Sequence, residues 1–447
     1  MAAAEPRKLY EPCPHCGGLK PTAVGALPPD TGQSLDRQFD RVLQAIYEGH
    51  SPVTDPAMLS IVGQVLEKQV FDGFGSDFVS VDFDTPDAAM LARLTRDTWT
   101  FASAKNYQQL RDMSLALVSD SGQARSFADF KEAASLIHRQ YNTGWLLTEY
   151  NQALGSATMA ARWNDFEKNA KLMPFLRYST VGDSRVRDSH AALDGITRKI
   201  DDVFWSTHYP PNGWGCRCSV DQLPGSKYAE SKTIPDSPVP AMFRTNLAKT
   251  GLIYPKGHPY YDVVPVDVFR EAIHYLPSEA AYKNVYTNKT SNKVDMHLLH
   301  GVDEMAANIE TAKTLADSGY DVKLLPVIDR GIDPNMVRKY VYGTEDFIKD
   351  KSPDALINKK IVEFKAPEHA NKSGIRHAIE TGQKQADWII IHLPEKMDVS
   401  QIGRFVKGKM NQSVYVNDVW VINKTGNPLK YDRKGFGLPE KAKRPTK

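Results

Sequence analysis

The segment Ser352–Pro367, with the sequence SPDALINKKIVEFKAP, decides how the C-terminal third of the chain folds. Two short apolar runs flank Asn358-Lys359-Lys360, and this pattern predicts two strands joined by a tight turn. Side chains alternate along a strand, so we expect Glu363 and Lys365 on one face, with Asp354 brought close to them by the turn. Two carboxylates can hold a divalent cation such as Mg²⁺, and a neighbouring lysine can orient water or stabilise a developing phosphorane. An exposed hairpin face with solvated charges is the alternative interpretation of this short motif.

The sequence around this segment predicts further helices and strands. A helix within MAANIETAKTLADSGYDVKLLPV should end at Gly319 and be followed by a strand. SGIRHAIETGQKQADWIIIHLP predicts a helix and then a buried strand, VSQIGRFVKGKM predicts a helix, and SVYVNDVWVIN predicts a hairpin around Asn417-Asp418. We therefore expect an α+β domain over residues 293–430. It would be followed by a loose basic tail over 431–447 and preceded by an extension and linker over 226–292, with the linker itself at about 279–293.

The N-terminal half has a mostly helical pattern. Residues 1–33 contain many Pro and Gly residues and predict an irregular arm. Helices are expected from Leu35 to about Val118, including one from Pro86 to about Phe101 and one that begins after an N-cap at Asp55. A long helix is expected from Ser126 to Ala161, where small residues favour close helix packing. From Phe175 to about Leu223 the pattern changes to a small α+β module, which places one domain over residues 34–225.

Length, composition and charge limit the class of protein. A chain of 447 residues predicts two or three domains, and 41% hydrophobic with 25% charged residues is ordinary for a globular protein. This composition excludes a wholly disordered, collagen-like or coiled-coil chain. The sequence shows neither a membrane-spanning window nor a secretory leader, so we expect synthesis in the cytoplasm. From residue 289 to the end there are 27 Lys and Arg against 21 Asp and Glu, a basic excess that suits a polyanion such as nucleic acid.

The four cysteines form two close pairs, Cys13 and Cys16 in CPHC, and Cys216 and Cys218 in GCRC. So few cysteines exclude a small disulfide-rich scaffold. Four thiolates could close one tetrahedral zinc site, although CxC is a less usual spacing than CxxC. A redox pair and four reduced thiols are the competing interpretations. His190 together with Cys216 and Cys218 is another potential metal site.

Residues Asp183 to Cys218 carry a dense set of polar and aromatic side chains. The runs STVGDSRVRDSHAALDG and DDVFWSTHYPPNGWGCRCSV resemble the phage Mu F-like minor head proteins over roughly residues 35–275. The matching positions are Asp183, Arg185, Arg187, His190, Leu193, Gly195, Asp202, Trp205, Pro210, Pro211, Cys216, Arg217 and Cys218. This resemblance implies a component of the phage head or prohead that acts in head morphogenesis alongside portal and capsid proteins. It does not imply an enzyme.

Roughly residues 293–424 resemble the C-terminal tRNA nuclease domains of contact-dependent growth-inhibition proteins. The matching positions are Leu315, Ala316, Gly319, Tyr320, Leu324, Leu325, Pro326, Asp354, Ile357, Asn358, Lys360, Glu363, Lys365, Gln385, Ala386 and Asp387, while Lys359 replaces the usual turn glycine. The resemblance implies a toxin that acts on tRNA in the bacterial cytoplasm and is paired with an immunity protein. Asp354, Glu363 and Lys365 match the metal-and-water site of PD-(D/E)xK nucleases.

The preferred hypothesis is a multidomain phage or prophage head protein with a tRNA nuclease toxin at its C-terminus. Its candidate catalytic residues are Asp354, Glu363, Lys365 and His377. A metal-free ribonuclease of the barnase, EndoU or colicin type is a competing hypothesis. It would use His377, Lys365, Thr381 or His392, although a histidine in an apolar strand is more often part of the core. A nuclease that cuts DNA and an inactive domain that decorates the head also remain open from the sequence.

Overall fold

The computed structural model describes residues 26–236, 239–262, 266–328 and 333–444. The chain separates into two compact units, the first extending to Pro277 except for Asp82–Asp84, and the second made of Asp82–Asp84 and the chain from Ser278 onward. The first is dominated by helices and the second contains a large sheet. Among the described helices, none combines the length and the apolar character required to span a bilayer.

The first unit begins with five helices that are long enough to bury a continuous core. They are α1 (Asp30–Tyr47), α2 (Pro56–Phe74), α3 (Pro86–Leu115), α4 (Phe127–Arg139) and α5 (Leu146–Asn169), with a π-helical turn at Gln140–Trp145 between the last two. Asp55 caps α2 as predicted, because its carboxylate accepts a hydrogen bond from the Met58 amide at 2.9 Å. The third helix is longer than predicted, and the single helix expected from Ser126 is divided by the π-helical turn.

Close packing of α2 on α5 confirms the role expected for the small residues of the fifth helix. A side chain placed at Gly73 would come within 2.4 Å of the Leu154 carbonyl oxygen and 3.1 Å of the Ala157 methyl group. The helix backbones can approach so closely only because these positions are small.

A buried ion pair joins α3 and α5 inside the helical unit. Lys105 Nζ lies 2.7 Å from Glu149 Oε2, and both side chains are fully buried. Lys105 also donates to the Tyr141 carbonyl at 2.6 Å, and Tyr260 donates to Glu149 Oε1 at 2.9 Å. Every charged atom of the pair is thereby partnered, as burial of charge requires.

The remainder of the first unit contains the predicted small α+β module and a set of short helices. These elements are β1 (Phe175–Ser179), α6 (Asp188–Ala191), β2 (Thr197–Lys199), α7 (Trp205–His208), β3 (Ser219–Leu223), α8 (Leu247–Thr250) and α9 (Val266–His274). The three strands form an antiparallel sheet in the order β2-β1-β3.

The second unit alternates strands and helices. Its elements are α10 (Ser278–Ala281), β4 (Tyr282–Thr287), β5 (Lys293–His297), α11 (Met305–Asp317), β6 (Val322–Leu324), α12 (Pro334–Tyr342), β7 (Ala355–Ile357), β8 (Lys360–Lys365), α13 (Lys372–Gly382), β9 (Trp388–His392), α14 (Val399–Met410), β10 (Asp418–Ile422) and β11 (Leu429–Asp432). As predicted, Gly319 has a positive φ of 92° and stands between α11 and β6.

The eight strands form one mixed sheet in the order β11-β10-β9-β8-β7-β6-β5-β4. Strands β8, β9 and β10 are parallel to one another, whereas β7 is antiparallel to both β6 and β8. An apolar cluster that includes Ile379, Ile389, Ile391, Val406 and Val421 joins α13 and α14 to the sheet. The β7–β8 hairpin lies in the middle of the sheet, and β8 is adjacent to β9, which contributes Ile389 and Ile391 to this cluster.

The linker predicted at about 279–293 is wrong. Tyr282–Thr287 pairs antiparallel with Lys293–His297, and the polar sequence TNKTSNK forms the turn between them. Asn288 stabilises that turn, since its side chain accepts from the amides of Thr290 and Asn292 at 2.9 and 2.8 Å. A cluster of Asn, Ser, Thr and Lys is as typical of a hairpin turn as of a linker.

Two further expectations at the C-terminal end are wrong. The hairpin predicted around Asn417-Asp418 is a single strand, β10, which pairs with β9 on one side and β11 on the other. The tail predicted as loose over 431–447 is held at particular positions where it is described, although most of its side chains are exposed. Arg433 is 5% exposed and donates to the carbonyls of Met410, Ser413 and Val416 at 3.0–3.2 Å.

Candidate functional site

The β7–β8 hairpin positions the carboxylates predicted from the sequence. Ile357 pairs with Lys360, and Asn358 and Lys359 both have positive φ angles, of 51° and 63°. This is the two-residue turn whose twist matches that of the flanking strands. Ala355 pairs with Val362 in the same register, so Asp354 lies opposite Glu363. The predicted hairpin and its turn are confirmed.

Asp354, Glu363 and Lys365 converge on one buried point. Lys365 Nζ lies 2.5 Å from Glu363 Oε1, and the Phe364 amide donates to Asp354 Oδ2 at 2.8 Å. Both carboxylates are buried, at 7% and 4% exposure, while Lys365 is partly exposed. Glu363 Oε2 is buried and has no hydrogen-bond partner among the described residues. The interpretation as an exposed hairpin face therefore does not apply.

Burial and mutual repulsion set the protonation of these groups. Burial, followed by the negative charge of Asp354, raises the pKa of Glu363 to about 8. Burial disfavours the charged form of Lys365, but the negative charges of Glu363, Asp354 and Glu304 outweigh this effect and raise its pKa. Lys365 is therefore a cation at neutral pH. A divalent cation would relieve the repulsion between the carboxylates and provide a partner for the unpaired Glu363 oxygen, so the donor set fits such an ion.

A second layer of polar residues, which sequence reasoning missed, holds Asp354 in place. The Asn308 amide on α11 donates to Asp354 Oδ1 at 3.0 Å and lies 3.2 Å from His300 Nε2. His300 Nδ1 donates to the Leu325 carbonyl at 2.6 Å, which fixes the ring. Asn308 and the Phe364 amide each donate to a different oxygen of Asp354, so they fix the orientation of its carboxylate. No local pattern in the sequence indicates this role, because Asn308 lies 46 positions before its partner.

A cavity of about 750 Å³ opens beside Lys365. His377 and Thr381 line it from α13, and His369 and Asn371 line it from the preceding loop. His377 is exposed, and the Thr381 hydroxyl donates to the His377 carbonyl at 2.9 Å. Three of the residues considered for metal-free catalysis, namely Lys365, His377 and Thr381, therefore share one cavity.

His392, also considered for metal-free catalysis, is a core residue. It is 8% exposed and does not line that cavity. Its Nε2 donates to the Lys424 carbonyl at 3.1 Å, and its Nδ1 lies 3.1 Å from the Thr311 hydroxyl. Both ring nitrogens have partners, which is the structural role expected for a histidine in an apolar strand.

The residues proposed for zinc fall into two groups. Cys13 and Cys16 lie outside the described residues, so the four-cysteine site stays a prediction. Cys216 and Cys218 lie close together, with His190 beside them, in the α+β module of the first unit.

Two families match separate parts of the chain. Residues 108–221 match the family of Phage Mu protein F like proteins, and residues 351–427 match the Contact-dependent growth inhibition CdiA C-terminal domain. The chain therefore joins a part similar to the Mu F-like proteins to a part similar to the CdiA C-terminal domain. The second match contains Asp354, Glu363, Lys365, His377 and Thr381, whereas His190, Cys216 and Cys218 lie in the first.

Among curated proteins, the putative capsid assembly protein F of Escherichia phage Mu is 42% identical over 85 residues, which is 19% of each chain. The Mu-like prophage FluMu F protein of Haemophilus influenzae is 49% identical over 74 residues, or 17% of each chain. The chain thus matches about a fifth of the length of these relatives. A solved chain of the CdiA-CT/CdiI toxin and immunity complex from Burkholderia pseudomallei is 22% identical. That alignment covers 29% of this chain and 85% of the solved chain, with a TM-score of 0.21.

Proposed function

We propose that the second unit is a toxin that cleaves tRNA by metal-dependent hydrolysis of a phosphodiester bond. The observation that carries the proposal is the convergence of Asp354, Glu363 and Lys365, with one oxygen of Glu363 unpartnered among the described residues. Two acidic ligands suit Mg²⁺, which binds protein through one or two carboxylates and completes its shell with water and phosphate oxygens. The match to a CdiA toxin domain supports a reaction that damages a bacterial cell.

Each residue has a defined task in this mechanism. Asp354 and Glu363 would hold a divalent cation, which would supply Lewis-acid chemistry by polarising a phosphoryl oxygen and lowering the pKa of a bound water. Lys365 stays protonated and stabilises the negative charge that develops on the phosphorane. Asn308 and the Phe364 amide keep the Asp354 carboxylate in one orientation. The cavity beside Lys365 accommodates the nucleotide next to the scissile bond.

The test uses purified residues 278–447 with bulk tRNA and with DNA, in Mg²⁺ or in EDTA. We expect tRNA cleavage in Mg²⁺ only, and strong losses for Asp354→Asn and Glu363→Gln. Lys365→Ala should lower the rate by roughly 10²-fold, because one cation facing the transition state is lost. Glu380→Gln is the matched control, since Glu380 is an exposed carboxylate in the same unit and pairs with Lys409 instead.

A metal-free ribonuclease is the second candidate, because Lys365, His377 and Thr381 line one cavity. In that mechanism His377 would exchange protons with the 2′-hydroxyl and the leaving oxygen. Activity that survives EDTA and Asp354→Asn, but not His377→Ala, would favour it over the metal-dependent mechanism. Cleavage of DNA alone would indicate a deoxyribonuclease. If wild type cleaves neither substrate and is harmless to cells, the domain is an inactive head decoration.

We further propose that the first unit directs the protein into the phage head, where it contacts portal and capsid proteins. The Mu F-like match supports this assignment. The protein would be made in the bacterial cytoplasm, and the toxin would act in the cytoplasm, where a cognate immunity protein would neutralise it. A chain that ends at Pro277 should still enter proheads, as measured by immunoblotting of purified particles. Loss of incorporation would show that the second unit is needed for assembly.

A further inference from the structure

Three potential metal ligands meet in the α+β module of the first unit. His190 lies on α6, and Cys216 and Cys218 lie in the segment that leads into β3. Their ligand atoms all lie within 4.8 Å of one another. Within the described ranges, no other group of three or more His, Cys, Asp or Glu side chains converges in this way. The proposed nuclease mechanism uses none of the three.

The distances agree with those required by a tetrahedral zinc ion. Zn–S bonds of about 2.3 Å and Zn–N bonds of about 2.0–2.1 Å, set at the tetrahedral angle, place sulfur and nitrogen about 3.6 Å apart. His190 Nδ1 lies 3.7 Å from Cys216 Sγ and 3.5 Å from Cys218 Sγ. Hydrogen bonding explains the arrangement less well. A histidine ring nitrogen has one lone pair or one proton and so forms one hydrogen bond, whereas two sulfur atoms lie close to His190 Nδ1.

Both sulfur atoms lie next to the same ring nitrogen of His190. Cys216 and Cys218 are two positions apart in the segment that leads into β3, and Arg217 between them has a partner of its own. The Arg217 guanidinium binds both oxygens of Asp183, at 2.7 Å each. His190 is 3% exposed and Cys218 is 9% exposed, so both are shielded from bulk solvent.

We propose that His190 Nδ1 and the thiolates of Cys216 and Cys218 bind one zinc ion. Soft thiolates together with imidazole favour zinc over Mg²⁺ or Ca²⁺. The ion would join α6 to the start of β3 and so close the α+β module. Water would occupy the fourth position. This ligand set differs from the four-cysteine site because it includes a histidine and contains neither Cys13 nor Cys16.

The test measures metal in the full-length protein, expressed without a histidine tag. We expect about one zinc per chain by mass spectrometry, and the loss of that zinc in Cys216→Ser, Cys218→Ser and His190→Ala. Apoprotein titrated with cobalt(II) should develop a thiolate-to-cobalt charge-transfer band and the ligand-field bands of a tetrahedral ion. His190→Cys supplies a different zinc ligand at the same place. It should retain the metal and change the cobalt spectrum.

The double variant Cys13→Ser/Cys16→Ser is the matched control. Zinc that survives this change but not Cys216→Ser supports the proposal, and zinc lost in both variants overturns a site made by three protein ligands and water. Zinc lost only in the CPHC variant overturns the proposal, as does zinc-free wild-type protein that gains no cobalt bands. Unmodified wild type provides a check that needs no variant to fold. Its Cys216 and Cys218 should react with a thiol reagent only after chelation, whereas equal reactivity before and after chelation overturns the proposal.

Discussion

Replacing Glu363 by glutamine should make the free energy of unfolding of the second unit nearly independent of pH near neutrality. Without metal, burial and the nearby charge of Asp354 raise the pKa of Glu363 from its usual 4.5 to about 8. The folded state therefore binds this proton more tightly than the unfolded state does. The resulting stabilisation is fully present below pH 4.5 and is lost as the pH rises towards 8.

The expected size follows from the two pKa values. Each pH unit between them lowers the free energy of unfolding by at most about 1.4 kcal/mol, so we expect a loss of roughly 2–3 kcal/mol between about pH 5 and pH 7. Glutamine has nearly the same shape and stays neutral across this range. Glu363→Gln should remove that slope and be more stable than the metal-free wild type at neutral pH. Mg²⁺ should stabilise the wild type at neutral pH and have little effect on the variant.

The assay is urea unfolding of residues 278–447 in EDTA at several pH values, followed by the fluorescence of Trp388 and Trp420. Glu380→Gln is again the control. Its partner Lys409 lowers the pKa of Glu380, so this group titrates below the range tested and the slope should match that of the wild type. A wild-type stability that stays constant from about pH 5 to pH 7, or an equal slope in Glu363→Gln, would refute the proposed environment of this carboxylate.

Three other substitutions test separate contacts. Lys105→Met leaves Glu149 buried without its cation and should destabilise the first unit by roughly 3–5 kcal/mol, measurable by calorimetry. Lys359→Gly should stabilise the second unit by about 1 kcal/mol, as measured by urea unfolding, because the turn residue has a φ of 63° that glycine adopts more readily. Asn308→Ala removes a donor to Asp354, so tRNA cleavage should fall by about 10- to 100-fold while circular dichroism stays unchanged.

The hairpin that carries the candidate site could be predicted from local sequence alone. Strand alternation places Glu363 and Lys365 on one face, and a two-residue turn at Asn358-Lys359 brings Asp354 opposite Glu363. These relations depend on residues that are close in sequence, and backbone geometry fixes them. The same local information could not decide whether the face was buried, since burial depends on helices packed from distant parts of the chain.

Wrong predictions arose where a polar or basic segment had two compatible structures. TNKTSNK has the composition of a linker, but the strands on either side of it pair, so it is a hairpin turn. The segment after Leu429 is basic and rich in Gly, yet Arg433 is buried because three carbonyl groups at the end of α14 and in the following turns surround its guanidinium. Composition describes a segment alone, whereas burial of a charge depends on partners that fold next to it.

The polar residues behind Asp354 show why the rest of the site was beyond local prediction. In the sequence Asn308 is one polar position on a helix, with nothing to distinguish it from a solvated residue. Its role arises because α11 packs where its amide reaches both Asp354 and His300. An aspartate with one oxygen held by Asn308 and the other by the Phe364 amide cannot rotate freely. Glu363, which keeps an oxygen without a partner among the described residues, is therefore the carboxylate whose charge and position should change most when a cation binds.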